Sequence, residues 1–309
     1  MFTVPIIALL FHPQPVMQDD EGLLPMPGTL WNWNNWTWDL PITISLAMFL
    51  LVYSAGAVRR GDASRLSVRH FAFLAGSLSL AFGLVSPLHR MGDVLFSAHM
   101  LQHEILILIS APLIAASHPA VTLLYVFPQN YRRAIGSLIS KIERVPALAL
   151  VMTPLGAFLL HAVALWSWHI PYLYEATLSS DAVHAAQHVS FFLSGLVFWS
   201  ALYGAGRSTM SYGAGVIYVF GTAIHCGALG ALLTFSTVLW YPIYADRTEL
   251  WHLTPLQDQQ LGGLLMWVPS GVVFIVIGIW LFARWLATSD NRLQHSTLGS
   301  GMVERQEEA

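Results

Sequence analysis

Seven stretches of this chain are almost uninterruptedly apolar and each is about 20 residues long, enough to cross a ~30 Å hydrocarbon core as a helix. They run Leu40 to Val58, His70 to Leu88, Met91 to Ala116, Ala147 to His169, Ala182 to Tyr203, Tyr212 to Phe235 and Gln259 to Leu286. The expected fold is all-α, a polytopic seven-transmembrane-helix bundle. Charge agrees: Asp, Glu, Lys and Arg make up 10% of the residues, against about 25% in a soluble domain, too few to cover a water-facing surface. The division that follows is an extracytoplasmic segment 1–39, a membrane domain 40–286 and a polar cytoplasmic tail 287–309, expected to be loose. Phe2 to Phe11 is apolar but lacks a basic flank and a small-residue cleavage site, so it reads as an interfacial segment and not a cleaved leader. Val121 to Val145, with its Tyr131-Arg132-Arg133 cluster, suits a surface helix better than a span.

Cytoplasmic loops collect Lys and Arg. Counted over seven spans, one side holds two, Arg90 and Arg247, while the other holds twelve. The N-terminus is therefore expected outside and the C-terminus inside. Trp31, Trp33, Trp36, Trp38, Trp240 and Trp251 then fall on the outer side, as an interfacial aromatic belt requires. The formal net charge of −3 and the lack of a basic patch argue against a nucleic-acid partner. The single cysteine, Cys226, leaves no Cys-x-x-Cys pair, so any metal chemistry rests on His, Met and carboxylates.

Histidine breaks the pattern, with 13 copies against 14 Lys plus Arg. At 1.5 Å per residue, nine of them (His89, His99, His103, His161, His169, His184, His188, His225 and His252) lie from mid-depth outward. His99/His103 and His184/His188 are i,i+4 pairs, each presenting two imidazoles from one helix face, with Cβ atoms about 5–6 Å apart. Two such pairs on facing helices could supply four nitrogens to a metal ion. A lone membrane histidine more often hydrogen-bonds a neighbouring helix, and His70, His118 and His225 read that way. Near the interface, His89, His169 and His252 read equally well as polar residues in the headgroup zone. Glu104 is an intramembrane carboxylate, a functional candidate by default. It points about 100° away from His103, which suits a supporting group or a proton carrier. Met100 is a soft donor suited to Cu(I) or a packing residue. Asp181, one turn before His184, could orient that ring, and Asp258 could cap the last span or join the site.

The run His99-Met100-Leu101-Gln102-His103 with Ala111-Pro112 and Pro119, the segment Trp168 to Ala176, the pair His184/His188, and Asp258 to Trp267 together resemble the multi-spanning CtaG family of cytochrome c oxidase assembly proteins. The resemblance covers roughly Trp36 to Trp285, with Ser117 standing where a glycine is expected. It implies a multi-pass protein of the bacterial plasma membrane, an assembly protein more than an enzyme, linked to copper supply for a haem-copper oxidase. The matching positions are His99, His103, Trp168, His169, His184, His188 and Asp258.

The leading expectation is copper held by His99, His103, His184 and His188, with Met100, Glu104, His161, His169, Asp181 and Asp258 as additional or supporting groups. Copper would be taken from the outer face, possible donors including an extracytoplasmic copper chaperone, and passed to oxidase subunits. A ligand set without thiolates holds copper less tightly than cysteines would, which suits a protein that must release it. The alternative is a membrane metalloenzyme or electron carrier holding haem or a dinuclear iron site between the histidine helices. A third reading is an interaction protein whose histidines satisfy one another.

Overall fold

The computed structural model describes residues 30–61, 68–142, 144–204 and 210–307; the expected interfacial segment from Phe2 to Phe11 lies outside them. The described residues form helices α1 Leu40–Arg60, α2 Val68–Val85, α3 Pro87–Gly92, α4 Phe96–Ala116, α5 Pro119–Leu124, α6 Gln129–Ile142, α7 Pro146–Val151, α8 Pro154–Trp168, α9 Pro171–Ser179, α10 Asp181–Leu202, α11 Tyr212–Thr234 and α12 Pro255–Glu307, and no strand. Six of these, α1, α2, α4, α10, α11 and α12, are long and apolar enough to cross a membrane. Their outward faces are apolar, with Leu51 68% exposed, Ile217 74% and Ile279 65%. A water-soluble monomer rarely presents such patches, whereas lipid accepts them.

Local chemistry explains where helices depart from the apolar runs. The fourth run is broken between α7 and α8, because Pro154 has no N–H to continue the ladder and the Thr153 hydroxyl instead caps the Gly156 N–H at 3.0 Å. The 15 residues of α8 rise roughly 22 Å, short of a full crossing by themselves. The second run stops at Val85, where Ser86 caps Leu88 N–H and Pro87 starts the short α3. Between α5 and α7, α6 is amphipathic with no buried residue, the surface helix expected there. Helix α12 continues through the polar tail to Glu307.

Helix α4 is the hub. It packs against α2, α10 and α12, while α11 lies along α12, and α8 packs on α10 and α11. The packing against α12 depends on two adjacent glycines. A Cβ on Gly262 would overlap the Phe96 ring and crowd Met100 Cγ at 3.3 Å, and one on Gly263 would sit 2.8 Å from the Gly230 carbonyl oxygen of α11. Small residues let membrane helices approach this closely.

Within α4, residues Ile105–Ser110 form a π-turn, a local widening often found beside functional sites. Ala111 N–H reaches Leu106 C=O in this register, so the next donor would serve Ile107 C=O. That donor is Pro112, which has none. The Trp199 indole N–H of α10 supplies it instead, 2.8 Å from Ile107 C=O. Trp199→Phe should therefore leave a buried carbonyl unpaired and lower stability by about 1–2 kcal/mol, read as a drop in melting temperature in detergent. An unchanged melting temperature would refute the assignment.

Candidate metal centre

The start of α4 is held from across the bundle. Asp258 on α12 is fully buried and accepts from Phe96 N–H at 2.6 Å, Ser97 N–H at 3.1 Å and the Ser97 hydroxyl at 2.5 Å. These N–H groups belong to the helix start, which has no intrahelical partners for them. Asp258 thus caps α4; it neither caps its own helix, as one expectation had it, nor joins the histidines, as the other did. Its neighbours fasten the preceding loop: Gln259 accepts from Trp240 N–H at 2.6 Å and donates to Val238 C=O at 3.1 Å, and Gln260 donates to Ser236 C=O at 2.9 Å.

With α4 so placed, His99 and His103 face α10, and His184 and His188 face back. Ring centroids are 4.4 Å apart within the first pair and 4.3 Å within the second. Across the interface, His99 lies 5.0 Å from His184 and His103 lies 5.4 Å from His188. The structure brings all four expected residues together and adds a fifth, His89 of α3, stacked 5.2 Å from His184. Donor nitrogens of His99, His103 and His188 lie within 4.8 Å of one another, as do those of His89, His184 and His188. His188 belongs to both trios.

Two glutamines missed from the sequence organise these rings. Gln187 Oε1 lies 3.0 Å from His99 Nε2 and so ties the second pair to the first. Gln102 donates from Nε2 to Gly83 C=O at 2.8 Å and to His89 Nδ1 at 2.9 Å, which leaves the His89 proton on its other nitrogen. The signal was in the sequence: both pairs read His-x-x-Gln-His, at 99–103 and 184–188.

Buried polar atoms are normally paired. Here His99 Nδ1, both nitrogens of His103, His184 Nε2 and His188 Nε2 have no hydrogen-bond partner. Five orphaned imidazole nitrogens in one cluster fit a soft or borderline cation, since neutral imidazole is the commonest metal ligand. A cavity of about 80 Å³ adjoins them, lined by Asp39, His89, Asp181, His184 and His188 among apolar side chains of α1, α2 and α10. Asp181 thus shares the cavity with His184.

The remaining expected residues lie elsewhere. His161 is 3.1 Å from Ser194 Oγ and, with Glu104 and Cys226, lines a separate small cavity; Glu104 faces away from the cluster because it is one residue past His103 on the helix. His169, which ends α8, has Nδ1 2.6 Å from Leu165 C=O and Nε2 3.4 Å from Met100 Sδ. Tyr241 donates to His169 C=O at 2.9 Å, and Tyr174 and Tyr244 share a 2.9 Å hydroxyl contact. Burial holds both of these phenols well above the usual tyrosine range, so they stay protonated.

Residues 49–288 match the family described as cytochrome c oxidase caa3 assembly factor. The chain belongs to that caa3 assembly factor family. The match covers all six long helices and the histidine cluster, except the first nine residues of α1 and the end of α12, and with the apolar outward faces it makes this a membrane protein. Uncharacterized proteins of Mycobacterium bovis and Mycobacterium tuberculosis are each 24% identical over 266 residues, and one of Mycobacterium leprae is 25% identical over the same length. Each alignment covers 84% of this caa3 assembly factor homologue, which spans about 40% of the length of those curated relatives. No solved structure matches.

Proposed function

We propose that this protein captures copper at the His89/His99/His103/His184/His188 cluster and passes it to subunits of a haem-copper oxidase during assembly. The observation that carries the reading is the group of orphaned, buried imidazole nitrogens at the α4–α10 contact, in a chain of the oxidase assembly family. His99, His103 and His188 form the primary trio, because all three are buried and a nitrogen of each lies within 4.8 Å of the others. His184 and His89 line the adjoining cavity and act as the approach, with the Asp39 and Asp181 carboxylates favouring a cation.

In this reading the protein lies in the bacterial plasma membrane with its N-terminus outside, and α7 and α8 together make the seventh crossing, consistent with the 12:2 distribution of Lys and Arg over an odd number of spans. In that orientation the cluster, near the starts of α4 and α10, opens toward the outer face, and its partners there are oxidase subunits and an extracytoplasmic copper chaperone. Haem or dinuclear iron fits less well. Neither trio contains a carboxylate, while dinuclear iron sites usually rely on several, and a cavity of about 80 Å³ is well below the roughly 300–1,000 Å³ of a drug-sized ligand site.

Metal analysis of the full chain, purified in mild detergent and loaded with copper, tests the reading. Bound copper that survives desalting, with its nitrogen-only equivalent lost in the double variant His99→Ala/His184→Ala, is the expected result. No copper bound by the wild type, or a Soret band in its absorption spectrum, would overturn it.

A further inference from the structure

Beside the cluster, on another face of α4, His169 and Met100 make a contact that hydrogen bonding does not explain. His169 Nδ1 lies 2.6 Å from Leu165 C=O, and a carbonyl only accepts, so Nδ1 carries the ring proton. In the neutral ring Nε2 is then a bare lone pair. It faces the Met100 sulfur, itself an acceptor, at 3.4 Å. Both side chains are buried, Met100 completely and His169 to 3% exposure. Two acceptors turned toward each other in a dry interior lack the proton that would join them, but they match two donors to one soft cation.

The surroundings hold the pair in place. An Nδ1–H bound to a backbone carbonyl is the arrangement that orients a histidine whose Nε2 binds metal. Gly262 leaves room for Met100 against α12, and Tyr241 fastens the backbone of His169. The Phe191 ring lies 4.6 Å from His103 and 6.2 Å from His169, so it stands between the imidazole cluster and the thioether pair. A thioether selects Cu(I) over harder ions.

We infer that Met100 Sδ and His169 Nε2 form a second, softer station that binds Cu(I) beside the histidine cluster. This rests on the copper reading proposed above, and the ion binds as Cu(I), with no change of oxidation state. The test is X-ray absorption at the copper edge on the full-length protein, loaded anaerobically with Cu(I) to saturation. The expected wild-type spectrum contains a sulfur neighbour, and Met100→Leu, which preserves volume, removes it together with one of two bound equivalents. Cys226→Ser keeps the sulfur signal, which excludes the one thiol. His188→Ala keeps it as well while losing the nitrogen-only equivalent. Copper bound through nitrogen alone in the wild type, or a sulfur signal that persists in Met100→Leu, overturns this station and leaves the cluster standing. A wild type that takes up no copper overturns both.

Discussion

His188→Ala is expected to weaken copper binding more than any other single substitution in the histidine cluster. The ring is common to both groups of three nitrogens, lies against His103 at 5.4 Å and His184 at 4.3 Å, and leaves its Nε2 without a protein partner. Removing it breaks the primary trio and the approach at once, whereas His184→Ala spares His99, His103 and His188. Loss of a group that merely supports a metal ligand typically costs 10–100-fold in affinity, so loss of this shared ligand should cost at least about 100-fold. His89→Ala should have the smallest effect, since its Nδ1 already accepts from Gln102. Competition with a chromophoric Cu(I) chelator, run on detergent-purified variants with unchanged melting temperatures, gives the ranking. Equal losses from His89→Ala and His188→Ala would refute the division into a primary trio and an approach.

The same ranking marks how much the sequence disclosed. Apolar run length located six long helices, because burying or lipid-exposing about 20 apolar residues leaves a helix little choice. Helical spacing located both histidine pairs, because i and i+4 share a face in any α-helix. What depended on distant partners was not legible. Counting residues along a straight helix puts His89 near the interface but does not disclose that the turn at Ser86-Pro87 brings its ring to 5.2 Å from His184. The π-turn of α4 combines the missing N–H of Pro112 with an indole 87 positions further on, which no local window contains. Asp258 was recognised as a candidate, but its partners at Phe96 and Ser97 lie more than 160 residues away. The repeated glutamine at 102 and 187 was legible, and its role follows only once the two helices face each other.

Asp258→Leu should be the most damaging substitution outside the histidines, although Asp258 belongs to neither histidine trio that could hold a metal ion. Its carboxylate accepts from two backbone N–H groups and one hydroxyl where α4 begins, and leucine would bury all three donors unpaired. Hydrogen bonds to charged groups are worth about 1.5–3 kcal/mol each, and a lost helix cap about 0.5–2 kcal/mol. Because these overlap, a loss of about 3–4 kcal/mol is expected. The consequence reaches the proposed copper site through geometry. His99 is three residues from Phe96, so a frayed first turn moves it away from Gln187 and dissolves the trio while His103 and His188 remain. Asp258→Asn keeps the shape and an acceptor oxygen but turns an NH2 group toward one of the donors, and should fall between wild type and leucine in both melting temperature and copper affinity. Parallel decline of the two quantities across Asp, Asn and Leu is the signature of a residue that positions α4. Copper affinity lost in Asp258→Asn with the melting temperature intact would instead make Asp258 a ligand, contrary to the geometry found here.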